Sequence, residues 1–340
     1  MTHHNNFNFL RIFAAVLVGV THSYAITGNV LSEPVRQLSN GYFYLSTIGL
    51  YIFFFTSGYL VSQSAATSKS SLIFLQKRVL RIYPALIIVV LLSVFIAGPL
   101  LTTFSLKQYF TDIDTWKYLW TASGVRIRFR LPGVFEQPGF IMAGFNGSLW
   151  SIQLELILYG LLFILTLTGL FKKRKLLLIV LTALIIICLF MSLANWYFIL
   201  IPDHKSLLLA CAFLFGGIMQ TKSIPKRYAV CLFIGSGLLL LFKITGAIKI
   251  NLMLDEVIFF SLATYFIAFT RWFTIRIKND ISYGVYIYTF PMQQLIFQLS
   301  GFSQSTFANL FLSLCGSCIL GFLSWIYIEK PALKYKTRLS

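Results

Sequence analysis

Apolar stretches of about twenty residues, separated by short polar or charged punctuation, recur from one end of this chain to the other. A helix of that length matches the roughly 30 Å hydrocarbon layer of a bilayer. The pattern predicts ten membrane helices, at about 9 to 27, 42 to 63, 82 to 102, 149 to 170, 176 to 194, 206 to 220, 228 to 243, 252 to 270, 282 to 299 and 306 to 328. The sixth and seventh are short for a full crossing and are expected to tilt or to enter only partway. One connection, about 103 to 148, is much longer than the others. Within it, "GVRIRFRLPG" alternates Arg126, Arg128 and Arg130 with apolar residues at strand period, and Pro132-Gly133 supplies a turn signal. No internal repeat of the kind seen in many secondary transporters is visible.

Composition agrees with the pattern. Of 340 residues, 58% are hydrophobic and 11% charged, the balance of an all-α polytopic membrane protein. The formal charge of +18 would suggest nucleic acid in a soluble chain. Here it is read loop by loop, because lysine and arginine collect on the cytoplasmic side of membrane proteins. One side gathers Lys69 to Arg81, Lys172 to Lys175, Lys222 to Arg227, Arg271 to Lys278, and Lys330 to Arg338. That side holds twice as many basic residues as the other, so both termini are expected in the cytoplasm and the long connection outside. No lysine or arginine precedes Arg11, and Arg11 interrupts the first apolar run, so this segment reads as the first membrane helix rather than a cleaved signal. All five cysteines fall in apolar runs and read as inert thiols, Cys315-x-x-Cys318 included.

The candidate chemistry lies in the few polar residues at membrane depth. Arg11 and His22 are eleven residues apart in the first helix, which puts them on one face and about 16 Å apart along the axis. A charged side chain in hydrocarbon costs about 3 kcal/mol or more. Alone, each has an ordinary reading, a snorkelling arginine or a hydrogen-bonded core histidine. Together on one stripe they point to a functional interior. Glu155, in "NGSLWSIQLELILYG", is expected at the depth of His22, where a carboxylate would fix the imidazole tautomer and raise its basicity, or else pair with another polar group or cation. Arg78 and Arg81 open the third helix at the level of Arg11. Such clusters commonly set topology, but several guanidinium groups around one bundle also make a phosphate clamp. Glu329, at the end of the last helix, is the expected counter-ion for one of them, whereas Asp255 and Glu256 read as ordinary interfacial residues. Arg126, Arg128 and Arg130 are either a solvated β-like edge or a site for an anionic lipid or acidic glycan.

Six motifs lie in order along the chain: Arg11-x10-His22, "FFFTSGYLVS", "KRVLRIYPAL", "NGSLWSIQLELILYG", "ISYGVYIYTFPMQQ" and "YIEKP". In this the chain resembles the membrane-bound acyltransferase family 3, the O-acetyltransferases of bacterial surface and secreted glycans. The resemblance implies a single membrane domain of ten core helices over residues 1–340, in a bacterial inner membrane, with no appended soluble domain and no metal. It implies transfer of an acetyl group from cytoplasmic acetyl-CoA to a hydroxyl of an extracytoplasmic glycan, free or lipid-linked. On that reading Arg11, Arg78 and Arg81 hold the donor phosphates, and His22 with Glu155 carries the chemistry. Trp150 and the outer arginines line the acceptor entrance. Many relatives carry a histidine before the phenylalanine-proline of the ninth helix, where this chain has Thr289 before Phe290-Pro291. A mechanism that requires two membrane histidines is therefore not expected. The rival reading is a transporter or glycan flippase, in which the same buried charges would line a substrate path.

Overall fold

A computed structural model describes residues 5–197, 201, 203–249, 253–270, 272, 274–275 and 277–338. Of the charges used above for orientation, Arg271 and Arg276 lie outside them. Each of the ten predicted segments is helical: α1 (Phe7–Ile26), α2 (Leu45–Thr67), α3 (Ser71–Leu92), α4 (Trp150–Leu167), α5 (Arg174–Leu193), α6 (His204–Thr221), α7 (Lys226–Ile244), α8 (Leu254–Ala268), α9 (Ser282–Leu299) and α10 (Thr306–Ser324). Seven are long and apolar enough to cross a membrane: α1, α2, α3 with its continuation to Leu101, α4, α5, α7, and α10 with its continuation to Tyr335. The chain is a multi-pass membrane protein. The other three miss that standard for identifiable reasons. α8 has only 15 residues, α6 begins with His204-Lys205, and α9 carries Gln293, Gln294 and Gln298.

The helix ends follow local chemistry. The Asp203 carboxylate accepts the Ser206 amide at 2.7 Å and starts α6. The Ser305 hydroxyl accepts the Ala308 amide at 3.2 Å and starts α10. Both satisfy backbone donors that the first helical turn leaves open.

The chain divides into two compact units, Met1–Ala14 with Leu38–Leu75 and Ile157–Lys278, and Ala15–Gln37 with Gln76–Leu156 and Asn279–Ser340. In the first, α2 and α6 meet backbone to backbone. A Cβ added to Gly58 would lie 1.9 Å from the Phe213 carbonyl oxygen, the close approach that small residues permit between membrane helices. This unit also corrects the reading of Asp255 and Glu256. Both are buried, because Lys243 Nζ donates to Asp255 at 2.6 Å and the Tyr51 hydroxyl donates to Glu256 at 3.4 Å. In the second unit, α9 and α10 cross at Gly284 and Gly321, where an added Cβ would come within 2.6 Å of the opposing Cα.

Residues 103–148 belong to the second unit and form no strand. Short helices at Leu106–Thr111 and Ile113–Tyr118 lead into an irregular segment anchored by fully buried Tyr109, Tyr118, Leu131, Val134 and Phe135. The Tyr109 hydroxyl donates to the Val94 carbonyl at 3.0 Å, and burial pushes its pKa up to about 12. The expected β-like edge is absent. Arg126, Arg128 and Arg130 are exposed, but so are Val125 and Phe129. The alternation has no neighbouring strand to define two faces, so it does not sort residues by burial. The turn at Pro132-Gly133 does form, with Gly133 at φ 69°.

Candidate functional site

α1 is unbroken from Phe7 to Ile26 and carries both Arg11 and His22, each half-buried. The half of α1 that belongs to the second unit is seated on α9 and α10 by polar contacts rather than by apolar packing alone. Gln293 Nε2 donates to the Gly19 carbonyl and to Ser23 Oγ, both at 2.7 Å. Ser23 Oγ donates to Asn309 at 3.1 Å, and Asn309 Nδ2 returns to the Gln293 carbonyl at 3.0 Å. This ring of bonds brackets His22 in sequence and fixes the rotation of its helix. The imidazole itself meets the Phe290 ring edge to face, with centroids 5.1 Å apart.

Phe290 joins His22 to the "NGSLW" segment. Its ring fills the space beside Gly147, where a Cβ would lie 2.9 Å from it. The neighbours of Gly147 lock this turn to α9. Asn146 Nδ2 donates to the Ile287 carbonyl at 2.8 Å, and Asn146 Oδ1 accepts from Ser148 Oγ at 2.7 Å. The Tyr286 hydroxyl donates to the Ser148 carbonyl at 3.0 Å and lies 2.6 Å from Ser151 Oγ. Glu155, one turn beyond Ser151 on α4, acts electrostatically on the same phenol. His22 and Glu155 thus address Phe290 and Tyr286, which are four residues apart and on one face of α9. Trp150 is half-buried at the start of α4.

The basic cluster opening α3 divides. Lys77 and Arg78 are buried. Arg81 pairs with Asp280 at 2.6 Å and with Glu329 at 3.6 Å, so the expected role of Glu329 as counter-ion is what the geometry shows. Asp280 is an addition. It lies just before α9 and also accepts the Ser282 hydroxyl at 2.5 Å and the Ser282 amide at 3.4 Å while it holds the guanidinium. Glu329 is also held by Ser324, whose hydroxyl donates to it at 3.2 Å. That same glutamate lies within electrostatic range of Tyr288.

Arg126, Arg128 and Arg130 sit elsewhere in the second unit. Arg128 and Arg130 line an open cavity of about 480 Å³ together with Asp112, Asp114 and Glu136. Arg126 stacks over Trp120, 5.1 Å from the ring centroid. Carboxylates facing the arginines make this a mixed-charge surface rather than a concentrated anion trap.

Sequence reading picked out the charged residues and passed over the amides. Gln293, Asn309 and Asn146 are buried as completely as any leucine, and they hold the histidine-bearing helix and the glutamate-bearing helix to α9. A signal was present, since Asn309, Ser313 and Ser317 recur every four residues along α10, with Ser324 two turns further on.

The sequence profile of acyltransferase family 3, an acyltransferase domain, matches residues 4–328. A protein named O-acetyl transferase from Shigella phage Sf6 is 30% identical over 337 residues, which cover 97% of this chain and 96% of that protein. Nodulation protein 10 of Rhizobium leguminosarum bv. viciae is 33% identical over 168 residues, 46% of this chain and 42% of that protein. No solved structure matches the chain. With seven helices able to cross a membrane and a profile match over nearly its whole length, the chain belongs to acyltransferase family 3 and is a membrane acyltransferase.

Proposed function

We propose that the protein transfers an acetyl group from cytoplasmic acetyl-CoA to a hydroxyl of an extracytoplasmic glycan, working in a bacterial inner membrane. The observation that carries this reading is α1: one unbroken helix bears Arg11 and His22, about 16 Å apart. That interval is comparable to the extended pantetheine arm of the donor, so the thioester reaches His22 while the nucleotide stays near Arg11. Arg11 and Arg78 hold donor phosphates. Arg81, already engaged by Asp280 and Glu329, sets the ends of α3, α9 and α10 in register and offers the remainder of its guanidinium.

His22 takes the proton of the acceptor hydroxyl as its oxygen attacks the thioester carbonyl. The carbon–sulfur bond breaks, an ester forms, and the imidazolium returns the proton to the departing thiolate. Glu155 supports the charged imidazole through its position beside Tyr286. Trp150, Arg126, Arg128 and Arg130 receive the acceptor. Because Asp112, Asp114 and Glu136 share the arginine cavity, a polyhydroxylated chain that both donates and accepts hydrogen bonds suits it better than a phosphate cluster.

The test is the purified protein in liposomes with radiolabelled acetyl-CoA outside and saponified envelope polysaccharide inside. Label is expected on the polysaccharide; movement of polysaccharide without label would make the protein a carrier. The donor assignment has its own test. Arg11→Lys keeps the charge but loses the planar fork that grips phosphate in two places, and is expected to raise the acetyl-CoA KM by about tenfold. An unchanged KM removes Arg11 from the donor site.

A further inference from the structure

The start of α1 grips the segment that follows α8. Asn6 is buried. Its backbone amide donates to the Ala268 carbonyl at 2.9 Å and its Nδ2 to the Ile267 carbonyl at 3.0 Å, while its Oδ1 accepts the Ile275 amide at 3.0 Å. Asn8 Nδ2 adds a bond to the Ile277 carbonyl at 3.1 Å. The beginning of the helix that carries Arg11 therefore holds this segment at both ends. Phe7, one turn before Arg11 and on the same face, packs edge to face on Phe269 with centroids 5.5 Å apart. All of these residues belong to the first unit.

Between its tethered ends the segment lines an open cavity of about 710 Å³. Tyr265, Phe266, Phe269 and Trp272 supply aromatic rings, and Lys226 and Ala229 join them from the start of α7. Trp272 stands at the rim, 96% exposed, with its backbone amide bonded to Thr270 Oγ1 at 3.3 Å. Among the described residues none of the lining side chains is acidic, in contrast to the cavity of Arg128 and Arg130. No side chain caps the start of α7 at Pro225, so the helix dipole and the Lys226 ammonium both favour an anion at this end of the cavity. Aromatic rings stack on any nucleobase. The hydroxyls of Tyr265 and Thr270, which also line the cavity, suit the ring nitrogens and amino group of a heterocycle; a lipid acyl chain would use neither.

We propose that this cavity binds the nucleoside end of the acetyl-CoA donor, with the adenine among the aromatic rings and the 3′-phosphate at Lys226. This rests on acetyl-CoA being the donor under the proposed function. Arg11 lies five residues beyond Asn6, about 7.5 Å along α1. A diphosphate held at Arg11 and a base held on the segment that Asn6 binds are thus two parts of one extended ligand. Arg11 grips charge that any nucleotide carries, whereas the cavity reads the nucleoside.

The test compares acetyl-CoA with S-acetyl-4′-phosphopantetheine, which keeps the thioester arm and lacks the nucleoside, as donors to saponified envelope polysaccharide for the protein in nanodiscs. Trp272→Ala removes a side chain too exposed to support the fold, and is expected to raise the KM for acetyl-CoA by about tenfold. Lys226→Ala is expected to raise it by about threefold. In both variants kcat is unchanged, and the KM for the truncated donor stays at its wild-type value. Adenosine 3′,5′-bisphosphate alone is expected to quench the tryptophan fluorescence of the wild type and to lose that effect in Trp272→Phe. An unchanged acetyl-CoA KM in Trp272→Ala overturns the proposal, as does an equal rise with both donors, which would mark a structural role. A KM shift confined to nanodiscs of anionic phospholipid, with no quenching by the bisphosphate, gives the cavity to a lipid headgroup and overturns it too. Wild-type protein that transfers acetyl from neither donor removes the proposed function instead, whereas transfer from both with an unmoved Trp272→Ala removes only the role of the cavity.

Discussion

His22→Ala is expected to abolish acetyl transfer, with a loss of about 10³-fold or more in kcat, because a positioned base contributes on the order of 10² to 10⁴ and no second membrane histidine stands in its place. In the ninth helix the position before Phe290 is Thr289, whose hydroxyl donates to the Val285 carbonyl at 2.6 Å and lies 3.0 Å from Ser317 Oγ. It is fully engaged in holding α9 to α10 and has no basic nitrogen. The substitution leaves the seat of α1 in place, since Gln293 binds it through the Gly19 backbone and Ser23 rather than through the imidazole. The measurement is transfer of labelled acetyl to saponified polysaccharide, alongside the yield and melting temperature of the purified membrane protein. Wild-type transfer by a folded His22→Ala protein would end the assignment of His22 as base.

Arg81→Met is expected to produce the largest loss of stability among these substitutions. Arg81 and Glu329 have side chains only 11% and 2% exposed, and Asp280 is nearly as covered at 12%. Removing the guanidinium deprives two largely buried carboxylates of their shared counter-charge. Breaking a buried pair in this way costs about 3 to 5 kcal/mol, much more than a surface ion pair contributes. Thermal unfolding in detergent is expected to show a markedly lower midpoint and a reduced membrane yield. The double variant Arg81→Met with Glu329→Gln removes one stranded charge together with its partner and is expected to recover part of that loss. A single variant as stable as the wild type would show that Arg81 is not a structural tie and would return it wholly to the donor site.

The two experiments separate parts of the molecule that were unequally legible in the sequence. The helices were legible because the signal is local: a run of about twenty apolar residues has few alternatives to a helix where no water can satisfy its backbone. Arg11 and His22 were legible for the converse reason, that a polar residue in such a run stands out against its surroundings. Glu329 as a counter-ion followed from its place at the end of the last predicted helix, at the level where Arg78 and Arg81 open the third. Asp280 escaped notice because "KNDISYG" reads as loop, and only the approach of α3 to the start of α9 turns that carboxylate toward Arg81. Asp255 and Glu256 were misplaced at an interface because their burial depends on Lys243 of α7 and Tyr51 of α2, which no local pattern brings to them. The arginines of "RIRFR" followed a strand period with no second strand to pair with, so their alternation carried no structural information.

By itself, then, the sequence determined a polytopic helical chain, the single helix that bears Arg11 and His22, and the family to which its ordered motifs point. Those follow from periodicity and from the cost of polarity in hydrocarbon, both of which act within one segment. The tertiary structure decided which side chains those charges meet. It set Phe290 between His22 and Gly147, brought Asp280 and Glu329 to Arg81, and closed Gln293, Asn309 and Ser23 into the ring beneath the histidine. The physical reason is that a hydrogen bond needs its two partners within about 3 Å and in line. When the partners lie hundreds of residues apart, only the packing of whole helices can supply that.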